Sequence, residues 1–254
     1  MFIFFINGVN TTPDEANANL IYLEDTISDH PNVTWNVLYN PTHGLLKSDI
    51  WDYMAQKHQE RKNYDINFYT NYYINKHNID CCESPEAFNA IKQSIKLKYI
   101  EDSSSVGKNL KGIVEQFHNR IPPNSDLSNL YVLIISHSQG NEYANQLWDY
   151  LVNGEGFSKD HISLLGIATP TRKIDANIIN SNYGYVTADN DKIINISRIL
   201  DHDVLPANVH IKDCKDFNCH NFISDYLGDT SIRKIICDQI GSYMNLWLNT
   251  QPLC

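Results

Sequence analysis

The sequence predicts an α/β fold, a mostly parallel sheet with helices on both faces, carrying a mainly helical insertion. Three observations point there. Apolar runs without polar alternation, at 2–6 and 131–135, read as strands buried on both faces. Segments of helical periodicity follow each of them. The alternation of β with α along the chain then places helices on both sides of a parallel sheet. A chain of 254 residues suits a single domain of this kind, so 1–254 is read as one.

The elements justify themselves in order. Residues 2–6, Phe-Ile-Phe-Phe-Ile, form the first strand, stopped by Asn7-Gly8. Thr12-Pro13-Asp14-Glu15 is a capping box with proline at the first helical position, and Ala16, Leu20, Leu23 and Ile27 recur at helical spacing. Residues 34–39 read as a second strand, which completes a βαβ unit with a right-handed crossover. The stretch 41–128 exceeds a simple crossover and reads as an insertion. It has helical segments near 46–60, 85–100 and 107–119, and an aromatic stretch at 63–80. A strand at 131–135, a helix at 140–152 and a strand at 161–168 come next. A hairpin around Ala188-Asp189-Asn190-Asp191, a last strand at 193–200 and a closing helix at 230–248 complete the chain.

Composition narrows the functions. With 42% hydrophobic and 20% charged residues the chain is of ordinary globular type, which excludes collagen, coiled coil and global disorder. A net charge of −10 repels polyanions, and no Lys/Arg cluster stands out, so nucleic-acid binding is excluded. No apolar run reaches the roughly 20 residues of a spanning helix. The apolar start lacks a basic region and is too short for a signal peptide. Cytoplasmic synthesis is expected, with export by a signal-independent machine as the alternative. The six cysteines contain no C-x-x-C pair, so no zinc ribbon is expected. Free thiols are the favoured reading, and a Cys214–Cys219 loop disulfide is the alternative outside a reducing compartment.

The chemistry concentrates at Ser136-His137-Ser138-Gln139-Gly140, between the strand at 131–135 and a helix. A serine on a sharp strand-to-helix turn projects its hydroxyl beyond the carboxyl end of the sheet, and crowding there demands small residues two before and two after. Ser136 stands where glycine is usual, and Gly140 is retained. Read blandly, Ser138 only caps the helix. A nucleophilic serine needs a histidine base and a carboxylate, in the chain order Ser, Asp, His. Leu200-Asp201-His202-Asp203-Val204-Leu205-Pro206 supplies the acid as Asp203, with Asp201 as competitor, and His220 supplies the base. His202 is too close to the acid, His210 sits in a strand-like run, and His137 should point away from the nucleophile. Asp201-His202-Asp203 lacks further ligands at metal spacing.

These segments resemble the α/β-hydrolase superfamily, in its bacterial serine lipase and esterase branches. Ser136-His137-Ser138-Gln139-Gly140-Asn141 is similar to the lipase elbow, Asp203-Val204-Leu205-Pro206 to a D-x-V-P acid motif, and His220 with Tyr226-Leu227 to an H-x(5)-Y-L histidine loop. The resemblance covers about 2–248 and implies a shortened core, because the strand at 2–6 leaves no room for two leading strands. It implies an oxyanion hole formed by the amides of Gln139 and Val9, with Gly8 as the alternative to Val9. Where many lipases carry His-Gly, this chain has Asn7-Gly8. The resemblance implies hydrolysis of an ester or lipid through a Ser138–His220–Asp203 triad without metal or cofactor, in keeping with a transient membrane-surface contact. Asn7, Tyr69 and Tyr72 are the candidate substrate-binding side chains, the tyrosines belonging to a cap at 63–80. Thioester, amide or peptide hydrolysis, or a non-catalytic binding role, are the alternatives.

Overall fold

A computed structural model describes residues 1–9, 11–27, 31–41, 109–123, 125–126, 129–179 and 182–248. The chain divides into two compact units, one of Met1–His43 with Gly112–Cys254, the other of Gly44–Lys111. The second unit lies almost wholly outside the described residues, as do the helices expected at 46–60 and 85–100 and the aromatic stretch 63–80.

The centre of the first unit is an all-parallel sheet of five strands, β1 (Phe2–Ile6), β2 (Thr34–Leu38), β3 (Val132–His137), β4 (Ile162–Ile167) and β5 (Tyr183–Val186). The helices between and after them are α1 (Pro13–Thr26), α2 (109–120), α3 (Gly140–Asp149), α4 (Lys173–Ile179), α5 (Lys192–Leu200) and α6 (Thr230–Leu248). The strand order is β2-β1-β3-β4-β5. The chain therefore moves outward from β1 to β2, then crosses back to the other side of β1. Where the order reverses, between β1 and β3, the loops leaving the carboxyl ends diverge and open a crevice, the usual ligand position in such sheets. Ile6 of β1 pairs with Ser136 of β3, so the segments Asn7–Val9 and Ser138–Gln139 emerge side by side.

Local sequence dictates most of these elements. Ile3, Phe4, Phe5 and Ile6 are fully buried, as a strand covered on both faces requires. On one face Ile3 and Phe5 join Ala16, Leu20 and Leu23 of α1 and Ile232, Ile236 and Ile240 of α6. On the other, Phe4 meets Phe117 of α2 at 5.0 Å between ring centroids. Helix α1 begins with the expected capping box, in which Thr12 and Glu15 satisfy each other's backbone amides. Helix α2 closes against β1 from within the span 41–128, so the part of that span beginning at Gly112 belongs to the α/β unit. Among the described residues no helix is long and apolar enough to cross a membrane.

Two expectations fail in the last third of the unit. The run 193–200 is helix α5, not a strand, and no hairpin surrounds Asp191. Asp191 caps α5 instead, its Oδ1 accepting from the amides of Ile193 and Ile194 at 3.0 Å each. The last strand is Tyr183–Val186, parallel to β4.

Candidate active site

Ser138 follows β3 and precedes α3, with φ at 54°, a left-handed value that a non-glycine residue adopts at a cost of roughly 1–3 kcal/mol. Surrounding contacts hold it there. Its amide donates to the Ile167 carbonyl at the end of β4 (3.0 Å). Asn141 Nδ2 donates to the carbonyls of Ser138 (2.7 Å) and Ile167 (3.1 Å), and its Oδ1 accepts from Ser136 Oγ (3.0 Å). Ser136 thus does more than fit where a glycine is usual, since it anchors the side chain that braces the turn. Small residues are needed on both sides. A Cβ on Gly140 would stand 2.5 Å from the Ile6 carbonyl oxygen, and one on Gly8 would stand 2.9 Å from Ser138 Cβ.

The His220 imidazole lies over this hydroxyl. Its Nε2 is 2.8 Å from Ser138 Oγ and its Nδ1 is 2.8 Å from Asp191 Oδ2. The backbone around His220 is built by its neighbours in sequence. Cys214 and Cys219 form a disulfide, which corrects the expectation of free thiols, and Cys219 itself adopts φ 54°. Asp225, fully buried in the short helical turn Phe222–Leu227, gathers the amides of Lys215 (2.6 Å), Asp216 (3.2 Å) and Asn221 (2.9 Å). The loop is closed on both sides of the histidine.

The carboxylate at His220 is Asp191, which corrects the assignment of Asp203. Both ring nitrogens of His220 are already taken, by Ser138 and Asp191. Asp203 pairs instead with Arg172 at 3.0 Å and is 59% exposed. Asp201 is also directed to Arg172, at 3.4 Å, and accepts from the Asp203 amide. Asp191 is fully buried and receives a further hydrogen bond from the Tyr226 hydroxyl, at 2.8 Å to Oδ2. Burial opposes its charge. The adjacent imidazole, the Ile194 amide and the Tyr226 hydroxyl outweigh that and hold its carboxyl below the usual range. Tyr226 in turn accepts from the Ala188 amide at 3.1 Å, and burial beside Asp191 raises its own hydroxyl well above the ordinary tyrosine range.

The remaining candidates divide between the cleft and the interior. Val9 and Gly8 line the cleft together with Ser138. Gln139 comes directly after Ser138, and among the described residues neither its amide nor that of Val9 donates to protein. The Gln139 side chain is turned inward to Asn40 (3.3 Å), which leaves the amide as the group available to a ligand. Asn7 is a strut and not a substrate contact: it is fully buried, and it exchanges hydrogen bonds with the Asn40 backbone (2.9 and 3.0 Å) and reaches the Gly8 carbonyl (2.8 Å). Tyr69 and Tyr72 lie outside the described residues. His137, expected to point away, lines the same cleft and sits 5.0 Å from His220, ring to ring.

The cleft has a volume of about 370 Å³ and runs between the first turns of α1 and the His220 loop. Its apolar part includes Val9, Ala18, Phe222 and Ile223, and among the described residues the charged side chains in its wall are Glu15 and Asp216. Among the described residues no group of three or more His, Cys, Asp or Glu side chains is placed to hold a metal ion. A serine hydroxyl donating to a neutral imidazole, whose other nitrogen is fixed by a buried carboxylate, can lose its proton as it attacks a carbon electrophile. Comparison with protein-family models, with curated proteins and with solved structures finds no match to this chain.

Proposed function

We propose that the chain is a serine hydrolase of the α/β-hydrolase superfamily that cleaves carboxylic esters through an acyl-enzyme. The observation that carries this reading is the single line of hydrogen bonds from Ser138 Oγ to His220 to Asp191, with 2.8 Å at each step. The strained serine turn at a topological switch point supports it.

In this reading His220 Nε2 takes the Ser138 proton as Oγ attacks the ester carbonyl. Asp191 holds the Nδ1–H tautomer and stabilises the imidazolium that forms. The amides of Gln139 and Val9 receive the oxyanion, a contribution of roughly 3–4 kcal/mol per donor in comparable sites. His220 then protonates the leaving alcohol. Water, deprotonated by the same imidazole, attacks the acyl-enzyme and releases the acid and Ser138. The wall of the cleft favours neutral esters, because Glu15 and Asp216 repel an anionic substrate.

The test is turnover on a panel of esters from short to long acyl chains, with a phospholipid, a thioester and an anilide alongside. Ester cleavage that disappears in Ser138→Ala is expected. Cleavage of the anilide or thioester in preference to every ester would move the protein to another acyl-hydrolase class, and no cleavage at all would refute the reading.

A further inference from the structure

We propose that His137 is a positioning residue for the base, a brace that ties the backbone of His220 to the residue next to the nucleophile. The inference rests on the serine hydrolase reading above. His137 Nε2 lies 2.9 Å from the His220 carbonyl oxygen. A carbonyl only accepts, so Nε2 carries the proton and Nδ1 is the bare nitrogen. Nδ1 faces the Gly8 backbone, where an added Cβ would stand 3.2 Å away.

The brace closes a short circuit. His137 and Ser138 are neighbours in the chain, and the Ser138 hydroxyl meets the His220 ring. The spacing between nucleophile and base is therefore fixed twice, once through the side chains and once through the His137–His220 backbone bond. The flanking residues are held as well, Cys219 by its amide to the Asp216 carbonyl and Asn221 by its amide to Asp225. The bond from His137 reaches the carbonyl of residue 220 from the strand that carries the serine. The ring also forms a wall. It packs against His220 at 5.0 Å, Phe222 at 5.4 Å and Tyr226 at 6.2 Å, and it is only 8% exposed.

The neutrality of His137 matters for this role. Burial and the neighbouring His220 push it down to about 3, against the pull of Asp191 and its own bond to the carbonyl. It carries no charge at neutral pH, so its ring adds no positive charge beside the imidazolium that forms on His220 during turnover.

The experiment compares His137→Phe and His137→Gln with the wild-type chain on the best ester of the panel. Phenylalanine keeps the ring and removes the donor. Glutamine places an N–H near the position of Nε2. We expect kcat to fall about 10–100-fold in His137→Phe with KM nearly constant, since a displacement of about 1 Å at a reacting group costs up to that much. His137→Gln should recover most of the loss. Wild-type kcat in a folded His137→Phe protein overturns the proposal, and so does an equal loss in both variants, which would mark a packing role only. Should His137→Phe fail to fold, nitrogen-15 spectra of the wild-type imidazoles decide: a neutral Nε2–H tautomer for His137 from pH 5 to 8 is expected, and an Nδ1–H tautomer or a titration in that range overturns it. A wild-type chain that cleaves no ester overturns the hydrolase reading and this inference together, whereas an active wild type with an unaffected His137→Phe overturns this inference alone.

Discussion

Asp191 binds His220 with one carboxylate oxygen and the start of a helix with the other. Oδ2 lies 2.8 Å from His220 Nδ1, and Oδ1 lies 3.0 Å from the amides of Ile193 and Ile194. The helix thereby fixes the carboxylate that fixes the imidazole. Asparagine at this position can still cap α5 but cannot hold the same tautomer. Asp191→Asn should lower kcat by roughly 10³–10⁴-fold in a protein that still folds. Asp203→Asn removes a half-exposed ion pair with Arg172 and should leave turnover near the wild-type rate and stability within about 1 kcal/mol. Steady-state kinetics and denaturant titration of the two variants read both statements.

Tyr226 is the second support of Asp191. Tyr226→Phe removes a hydroxyl that donates to the buried carboxylate and strands the Ala188 amide. A stability loss of about 1.5–3 kcal/mol is expected in urea unfolding. The kcat loss should be smaller than that of Asp191→Asn, because His220 retains its partner.

Gly140 lets α3 approach β1 closer than any side chain allows. Gly140→Ala would place a methyl 2.5 Å from the Ile6 carbonyl oxygen and 2.7 Å from that of Asn7. Both are backbone atoms of a central strand and its exit loop and cannot step aside cheaply. A destabilisation of roughly 1–3 kcal/mol is expected, with loss of turnover as the elbow shifts. Thermal melting and kinetics together check it, and wild-type values in both would contradict the close approach.

Asp229 ties the start of α6 to the loop after α5. It accepts from the amides of Ser231 (2.9 Å), Ile232 (3.2 Å) and Lys212 (3.0 Å). Burial opposes its charge, but these bonds and the Ser231 hydroxyl bring it from 3.8 down to about 2. A folded value below the unfolded one means that its contribution is complete above pH 4. The contribution is lost as pH falls through about 2. Asp229→Ala should cost about 1 kcal/mol at pH 7, and the difference from wild type should shrink as the pH is lowered toward 2. Urea midpoints measured from pH 7 to 2 test the trend.

Much of this fold was legible because its signals are local. The capping box at Thr12–Glu15, the apolar run of β1 and the stripe Ile232, Ile236, Ile240, Met244 each specify an element without help from the rest of the chain. Ser138 and His220 were legible for the same reason, one on a strand-to-helix turn and the other opening a short helical turn. The acid was not. Residues 193–200 are rich in isoleucine, whose branching suits a strand, yet the capping bonds of Asp191 and the burial of Ile194 and Ser197 make them a helix. A strand at 193–200 puts the carboxylate in the loop beyond its end, at Asp203, whereas a helix there puts it at the start of the segment, at Asp191. The signal was present in an aspartate three residues before the buried Ile194. His137 was missed because its bond partner is a backbone atom 83 residues away, which no spacing encodes. The Cys214–Cys219 bond depends on a loop closed by Asp225, again a contact between segments.

In the proposed mechanism Ser138 is activated by His220 and Asp191. A fluorophosphonate probe tests it most directly, with the labelled peptide mapped by mass spectrometry. A single adduct on Ser138 is expected in the wild-type chain, none in Ser138→Ala, and much slower labelling in Asp191→Asn than in Asp203→Asn. A wild-type protein that is folded and remains unlabelled, or one whose labelling is slowed by Asp203→Asn and not by Asp191→Asn, would contradict it.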